Sequence, residues 1–186
     1  PWFQVEKNKR FMNRFDHIAL REQSACDLVY KLTGRKVPVV LDPTLLFTGD
    51  QWLGIQQQEP LTNGKYIFCY LLGDNPSQRE FIKRVKEKTG YKIVALQQLD
   101  EYIPSDEEFA DEAPYVGPRE FLNYIRNAEY VFTDSFHCSV FSILYKKNFF
   151  TFSRFAEGAK QSTNTRIDNL LYITGLEDRR MTNDKT

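Results

Sequence analysis

The stretch "EYVFTDSFHCSVFSILYKKNFFTF", residues Glu129–Phe152, decides the fold. Its first piece, "EYVFT", is apolar and aromatic and predicts a short buried strand. Residues 135–146 follow, with Phe136, Val140, Phe141 and Leu144 on one helical face. "NFFTF" (148–152) is a second run of strand length and character. Strand, helix and strand in immediate succession make a parallel crossover unit.

The same alternation continues outward. "YIFCYLL" (66–72) is apolar throughout, as a strand covered on both faces is. Residues 76–89 read as a helix: Pro76 suits its first turn, Phe81, Ile82 and Val85 share a face, and Gly90 stops it. "YKIVAL" (91–96) is the next strand, 97–117 a long acidic loop, and "PREFLNYIRNA" (118–128) a helix. Beyond the opening stretch come a second loop, "SRFAEGAKQST", and a last helix over 164–175. Upstream of the turn signal "LTNGK" (61–65) the pattern is shorter. A helix over 5–15 precedes strands at 16–20 and 37–41. These bracket a helix with Ser24 as N-cap, Leu28 and Leu32 on one face, and Gly34 as its stop. Trp52 falls in a short helix within 48–58. The expected class is α/β: a Rossmann-like parallel sheet with helices on both faces. Residues 61–186 form one such domain, and 1–60 are the tail of an earlier unit plus a linker.

Composition narrows the function. Lys+Arg and Asp+Glu both number 25, so no basic excess points to nucleic acid. Aromatic residues make up 15%; they fill a core or stack on sugar rings. Cys26, Cys69 and Cys138 are far apart and form no CxxC pair, which argues against a zinc site or a disulfide scaffold and fits a reduced, cytoplasmic compartment. No apolar run approaches the roughly 18 residues of a membrane span. No leader is visible, and any membrane association is expected to be peripheral. The chain opens on Pro1 without an initiator Met, so a piece of a longer protein is expected.

"TDSFH" (133–137) lies where a strand hands over to a helix. Ligands of doubly wound folds sit at such carboxyl ends. Asp134 or Ser135 can cap the helix, whose first amides and dipole favour an anion. His137 then either hydrogen-bonds near the cap or works as a general acid charged by its own substrate. Arg21, at another strand end, is suited to phosphate or carboxylate. Its position alone reads more simply as a surface ion pair with Glu22 or a neighbour. Arg154 and Arg166 flank the second loop with the same two readings. GxGxxG and P-loop motifs are absent, and the acidic loop lacks calcium-ligand spacing, so neither a dinucleotide nor a metal is expected.

Five segments resemble the polysaccharide pyruvyl transferase family: "IALREQSA" (18–25), "VVLDPTLL" (39–46), "PREFLNYIRNAEYVFTDSFH" (118–137), the overlapping "YVFTDSFHCSVFSILYKKNFFTF" (130–152), and "RIDNLLYITGLEDR" (166–179). The resemblance spans about residues 16–180. It implies the C-terminal portion of a two-domain enzyme like the B-type glycosyltransferases. It implies transfer of a pyruvyl group from phosphoenolpyruvate onto a sugar or lipid-linked oligosaccharide of a cell-surface polysaccharide, as in exopolysaccharide biosynthesis, with no cofactor. His137 is then the general acid, Asp134, Ser135 and Phe136 belong to the donor pocket, and Arg21 holds the donor's anionic groups. Two positions depart from the family. Ser135 replaces an arginine of some members, which leaves Arg154 or Arg166 to supply a phosphate contact. Cys138 stands where the family usually has Gly, and a side chain there is expected to narrow the pocket or alter the backbone's approach to the ligand. Two rival functions are a glycosyltransferase using a nucleotide sugar, with Phe68, Tyr70 and Glu101 around the nucleotide, and a non-catalytic sugar-binding domain.

Overall fold

A computed structural model describes residues 2–96, 103, 106, 108–156 and 164–181. Most of the acidic stretch 97–107, including Glu101, and residues 157–163 of the second loop lie outside the described residues. The chain divides into two compact units, Pro1–Leu46 and Phe47–Thr186.

The first unit holds α1 (Trp2–Met12) and α2 (Gln23–Thr33). Gly34 ends α2 at φ 75, the left-handed conformation that glycine takes without a Cβ penalty. Glu22, not Ser24, occupies the N-cap position. The buried face is Cys26 and Val29, while Leu28 is exposed, so the expected stripe is one position out of phase. The strands expected at 16–20 and 37–41 reduce to a single parallel bridge, Leu20–Val39. Pro38 has no N–H with which to extend that ladder. Val39, Val40 and Leu41 stay exposed, because no sheet forms in this unit to bury them.

The second unit opens with α3 (Gly49–Leu53), capped by Thr48. A Cβ on Gly49 would lie 2.4 Å from the Leu144 carbonyl oxygen, so only glycine permits this approach. Trp52 of α3 then reaches Phe141, edge-on at 5.1 Å. Four strands follow, β1 (Tyr66–Tyr70), β2 (Lys92–Ala95), β3 (Tyr130–Thr133) and β4 (Asn148–Thr151). They are all parallel, in the order β2-β1-β3-β4. This is the expected Rossmann-like sheet.

The helices between strands are α4 (Pro76–Thr89), α5 (Pro118–Asn127) and α6 (Phe136–Leu144), and α7 (Asn164–Thr174) follows β4. The path from β1 to β2 runs one way across the sheet, and the path from β2 back past β1 to β3 runs the other. With right-handed crossovers, opposite directions put helices on opposite faces. Alternate side chains confirm it. Tyr66, Phe68, Val94 and Val131 pack with Leu122 and Ile125 of α5, Phe141 of α6 and Ile167 of α7. Ile67, Cys69, Ile93 and Phe132 pack with Phe81, Ile82 and Val85 of α4. Each such Ile, Val or Phe contributes about 1.5–3 kcal/mol when fully buried. Among the described residues no helix is long and apolar enough to cross a membrane.

Candidate functional site

The strand order reverses between β1 and β3, which makes their carboxyl ends the switch point where doubly wound sheets open a crevice. Here the sequence builds a tight junction. Thr133 Oγ1 donates to the Tyr70 carbonyl (2.6 Å) and accepts from the Ser135 amide (3.0 Å). Asp134 is buried, and its carboxylate accepts from the amides of Leu72 (2.7 Å) and Gly73 (2.8 Å). Those bonds end β1: Leu71 and Leu72 are apolar enough to continue a strand, but the Leu72 amide turns to Asp134. Burial pushes the Asp134 carboxyl pKa up, against the pull of the two amides and of Arg154 and Arg79.

Ser135 is the N-cap of α6, with φ −92 and ψ 130, and its Oγ accepts from the Cys138 amide at 3.5 Å. Of the two expected caps, Ser135 therefore caps the helix while Asp134 ties the neighbouring turn. The helix then turns Val140 and Phe141 into the core and leaves His137 exposed. Its ring stands edge-on to Phe136, with centroids 5.3 Å apart.

A pocket of about 160 Å³ opens at this junction. Leu72 lines it from the turn after β1, and Asp134, Ser135, Phe136 and His137 from the start of α6. Arg154, just past β4, and Asn164, Arg166 and Ile167 at the start of α7 complete it. Asn164 closes the intervening loop through two bonds to the Phe155 main chain, accepting from its amide (3.3 Å) and donating to its carbonyl (2.8 Å). Drug-sized ligands occupy roughly 300–1,000 Å³, so this space suits a compact one. Two guanidinium groups, an imidazole and the amino end of a helix meet there beside the Asp134 carboxylate, and the first three kinds of group favour an anion.

Six of the residues singled out from sequence thus share one pocket: Asp134, Ser135, Phe136, His137, Arg154 and Arg166. The seventh, Arg21, belongs to the first unit. Its guanidinium donates to the buried carboxylate of Asp42, a partner that the sequence reading did not name. Cys138 corrects an expectation. It is 0% exposed, its thiol faces the core and not the pocket, and burial pushes its pKa up to about 12. It narrows nothing. Phe68, proposed to stack on a nucleotide base, is also fully buried in the core, with its ring against those of Phe121 and Tyr124.

Two arginines went unnoticed in the sequence. Arg180 donates to the Phe152 carbonyl (2.7 Å) and pairs with Asp168 (2.9 Å), fastening the chain's last described turn to β4. Arg79 is 1% exposed, in the first turns of α4. The signal for it was its place three residues before Ile82, on the stripe facing the sheet. Among the described residues no group of three or more His, Cys, Asp or Glu converges as a metal site.

The family model for polysaccharide pyruvyl transferase matches residues 5–154, most of the chain. The match ends at Arg154, so the segment 166–179 falls outside it. No curated protein matches. Among solved structures, a Listeria monocytogenes protein provisionally named a UDP-N-acetylglucosamine 2-epimerase is similar at 14% identity, with a TM-score of 0.44. The similarity covers 70% of this chain and 45% of that one, so the chain spans less than half the length of that structure.

Proposed function

Since this chain belongs to the polysaccharide pyruvyl transferase family, we propose that its pocket takes phosphoenolpyruvate and that His137 is the general acid in pyruvyl transfer to a sugar. The observation that carries the reading is the meeting of His137, Arg154 and Arg166 in one small pocket at the amino end of α6. Phosphoenolpyruvate is a compact polyanion. Its phosphate and carboxylate suit two guanidinium groups and a helix start, which bind anions by charge and by amide donation.

The reaction asks two things of the protein. A sugar hydroxyl adds to C2 of the donor, and the methylene carbon C3 must gain a proton to become methyl. A protonated His137 at the pocket wall supplies that proton. A second hydroxyl then attacks C2 as the bond from C2 to the phosphate oxygen breaks; the first hydroxyl's proton returns to His137, the second's leaves on the released phosphate, and the cyclic ketal closes. Arg154 and Arg166 stabilise the departing phosphate where its charge develops. Ser135 sets the start of α6 and hence the position of His137. The acceptor is a sugar of a cell-surface polysaccharide, free or lipid-linked.

The test is turnover in an enzyme containing this chain, with phosphoenolpyruvate and a panel of nitrophenyl and lipid-linked sugars, product being read by mass. A mass gain of one pyruvyl ketal is expected. His137→Ala should lower kcat by roughly 100- to 10,000-fold without loss of folding, because the ring is exposed. Turnover with a nucleotide sugar and none with phosphoenolpyruvate would overturn the proposal, and near-normal turnover in His137→Ala would remove His137 from it.

A further inference from the structure

We propose that the pair of buried Arg79 and half-buried Asp106 is a positioning device for the pocket: it fixes the turn after β1 and, through that turn, Asp134 and the start of α6. The inference rests on the anion reading of the pocket and adds residues that do not touch the ligand.

Arginine is rarely buried, because its charge must be fully compensated. Arg79 meets most of this demand with one carboxylate and two carbonyls, although its Nη2 makes no hydrogen bond among the described residues. Nε donates to Asp106 Oδ1 at 2.8 Å, and Nη2 lies 2.7 Å from the same oxygen. Nη1 donates to the carbonyls of Gly73 (2.7 Å) and Asn75 (3.4 Å). A buried ion pair is weak evidence for stability, since apolar side chains of similar volume often serve as well or better. What this pair holds is more informative. The Gly73 carbonyl is fixed by Arg79, and the Gly73 amide is fixed by Asp134. The turn is therefore gripped from both sides, and one grip is the residue just before the α6 cap.

The neighbouring side chain does the same for the other turn. Gln78 is buried beside Arg79, and its Nε2 donates to the Ser153 carbonyl at 3.1 Å, one residue before Arg154. The first turn of α4 thus holds both segments that flank Asp134. A second ion pair joins α4 to the chain beyond β2, Lys86 with Asp111 at 2.6 Å, but it is well exposed and touches neither turn. It is the natural control.

The test uses the whole chain, inorganic phosphate as probe, and the ¹H–¹⁵N amide signals of Leu72, Gly73 and Phe136. The double variant Arg79→Met/Asp106→Leu removes both charges and keeps the volume, so it should fold. Asp106→Asn, which keeps the shape of the side chain, carries the same test if the double variant does not fold. The expected result is displaced Leu72 and Gly73 signals and phosphate affinity about 10- to 100-fold weaker, the scale of an ångström-level misplacement. Lys86→Gln should leave both readouts unchanged. Unmoved signals and unchanged affinity in variants that merely unfold earlier would overturn the positioning role and leave the anion pocket standing. No phosphate binding by the unaltered chain would overturn the anion reading and this inference with it.

Discussion

Gly73→Ala probes the junction at its tightest point. A Cβ at this position would lie 3.2 Å from Asp134 Oδ2, 3.3 Å from the Arg154 carbonyl oxygen and 3.4 Å from Arg154 Cγ. Ordinary contacts between such atoms fall at about 3.5–4.0 Å. Asp134 cannot swing aside without losing the Leu72 and Gly73 amides, and the Arg154 carbonyl is main chain at the end of β4. The turns must therefore separate by a few tenths of an ångström. Overpacking of this kind costs about 1–3 kcal/mol, a sizeable share of the roughly 5–15 kcal/mol that holds a domain folded. The same shift moves two walls of the pocket, Asp134 and Arg154, and should weaken phosphate binding by about tenfold. Gly54→Ala is the matched control. Its backbone is right-handed helical, φ −69 and ψ −18, and its Cβ would meet only the Gln51 carbonyl oxygen at 3.5 Å. There alanine should stabilise by about 0.4–1 kcal/mol, through the unfolded chain. Urea unfolding gives the stabilities and a phosphate titration gives the affinities. If Gly73→Ala unfolds at the original midpoint and binds phosphate as before, the turns are slack and the contact with Asp134 does not shape the pocket.

Three other outcomes are expected. Burial raises the Asp134 pKa, so the folded state keeps that proton longer than the unfolded chain. Its contribution is fullest below the unfolded carboxylate range and is lost as pH rises through the raised value. The unfolding free energy of the unaltered protein relative to Asp134→Asn should therefore fall as pH rises above about 4; urea curves showing a flat or rising difference would contradict this. The Cys138 thiol, pushed up to about 12 and fully buried, should resist thiol reagents until the chain is unfolded. Cys138→Gly should cost only about 0.3 kcal/mol through helix propensity, with the lost core volume adding to it, and leave phosphate affinity unchanged; altered affinity would place residue 138 in the pocket. Arg21→Ala takes the guanidinium away from the buried Asp42 carboxylate, which also accepts from the Thr44 amide and hydroxyl, and should cost about 1–3 kcal/mol of unfolding free energy in urea. Arg21→Lys should recover most of that loss, and an unchanged donor KM in the lysine variant would confine Arg21 to the first unit's own structure.

The order of elements from 66 to 175 was legible because each carries an unmixed pattern. The strands are continuous apolar runs and α4 has a three-to-four-residue stripe, with Pro76 and Gly90 marking its ends. Strand ends were not legible, because tertiary bonds set them. Leu71 and Leu72 differ little in character from Tyr70, yet β1 stops there for a carboxylate 62 positions away. Residues 16–20 and 37–41 failed for the converse reason. Their strand-like composition is real, but a strand needs a run of ladder pairs with a neighbour, and this unit offers one bridge.

The candidate site was legible where chemistry and chain geometry coincide in a few consecutive residues. A strand that becomes a helix must present its junction at the sheet's edge, so Asp134, Ser135 and His137 could be placed without coordinates. Arg79 was harder, because the solvated reading of arginine in a helix competes with its place on the Ile82 stripe, and Asp106 sits in a polar stretch with no periodicity to give its direction. Cys138 shows how far one residue of helical phase matters. Successive side chains on a helix diverge by about 100°. His137 turns to the pocket, so Cys138 turns to the core, where Phe141 and Ser142, three and four residues on, are buried with it. A glycine at 138 therefore offers the ligand no extra room on the Cβ side. The exchange between Gly and Cys is a question of packing volume beneath α6 and not of room in the pocket.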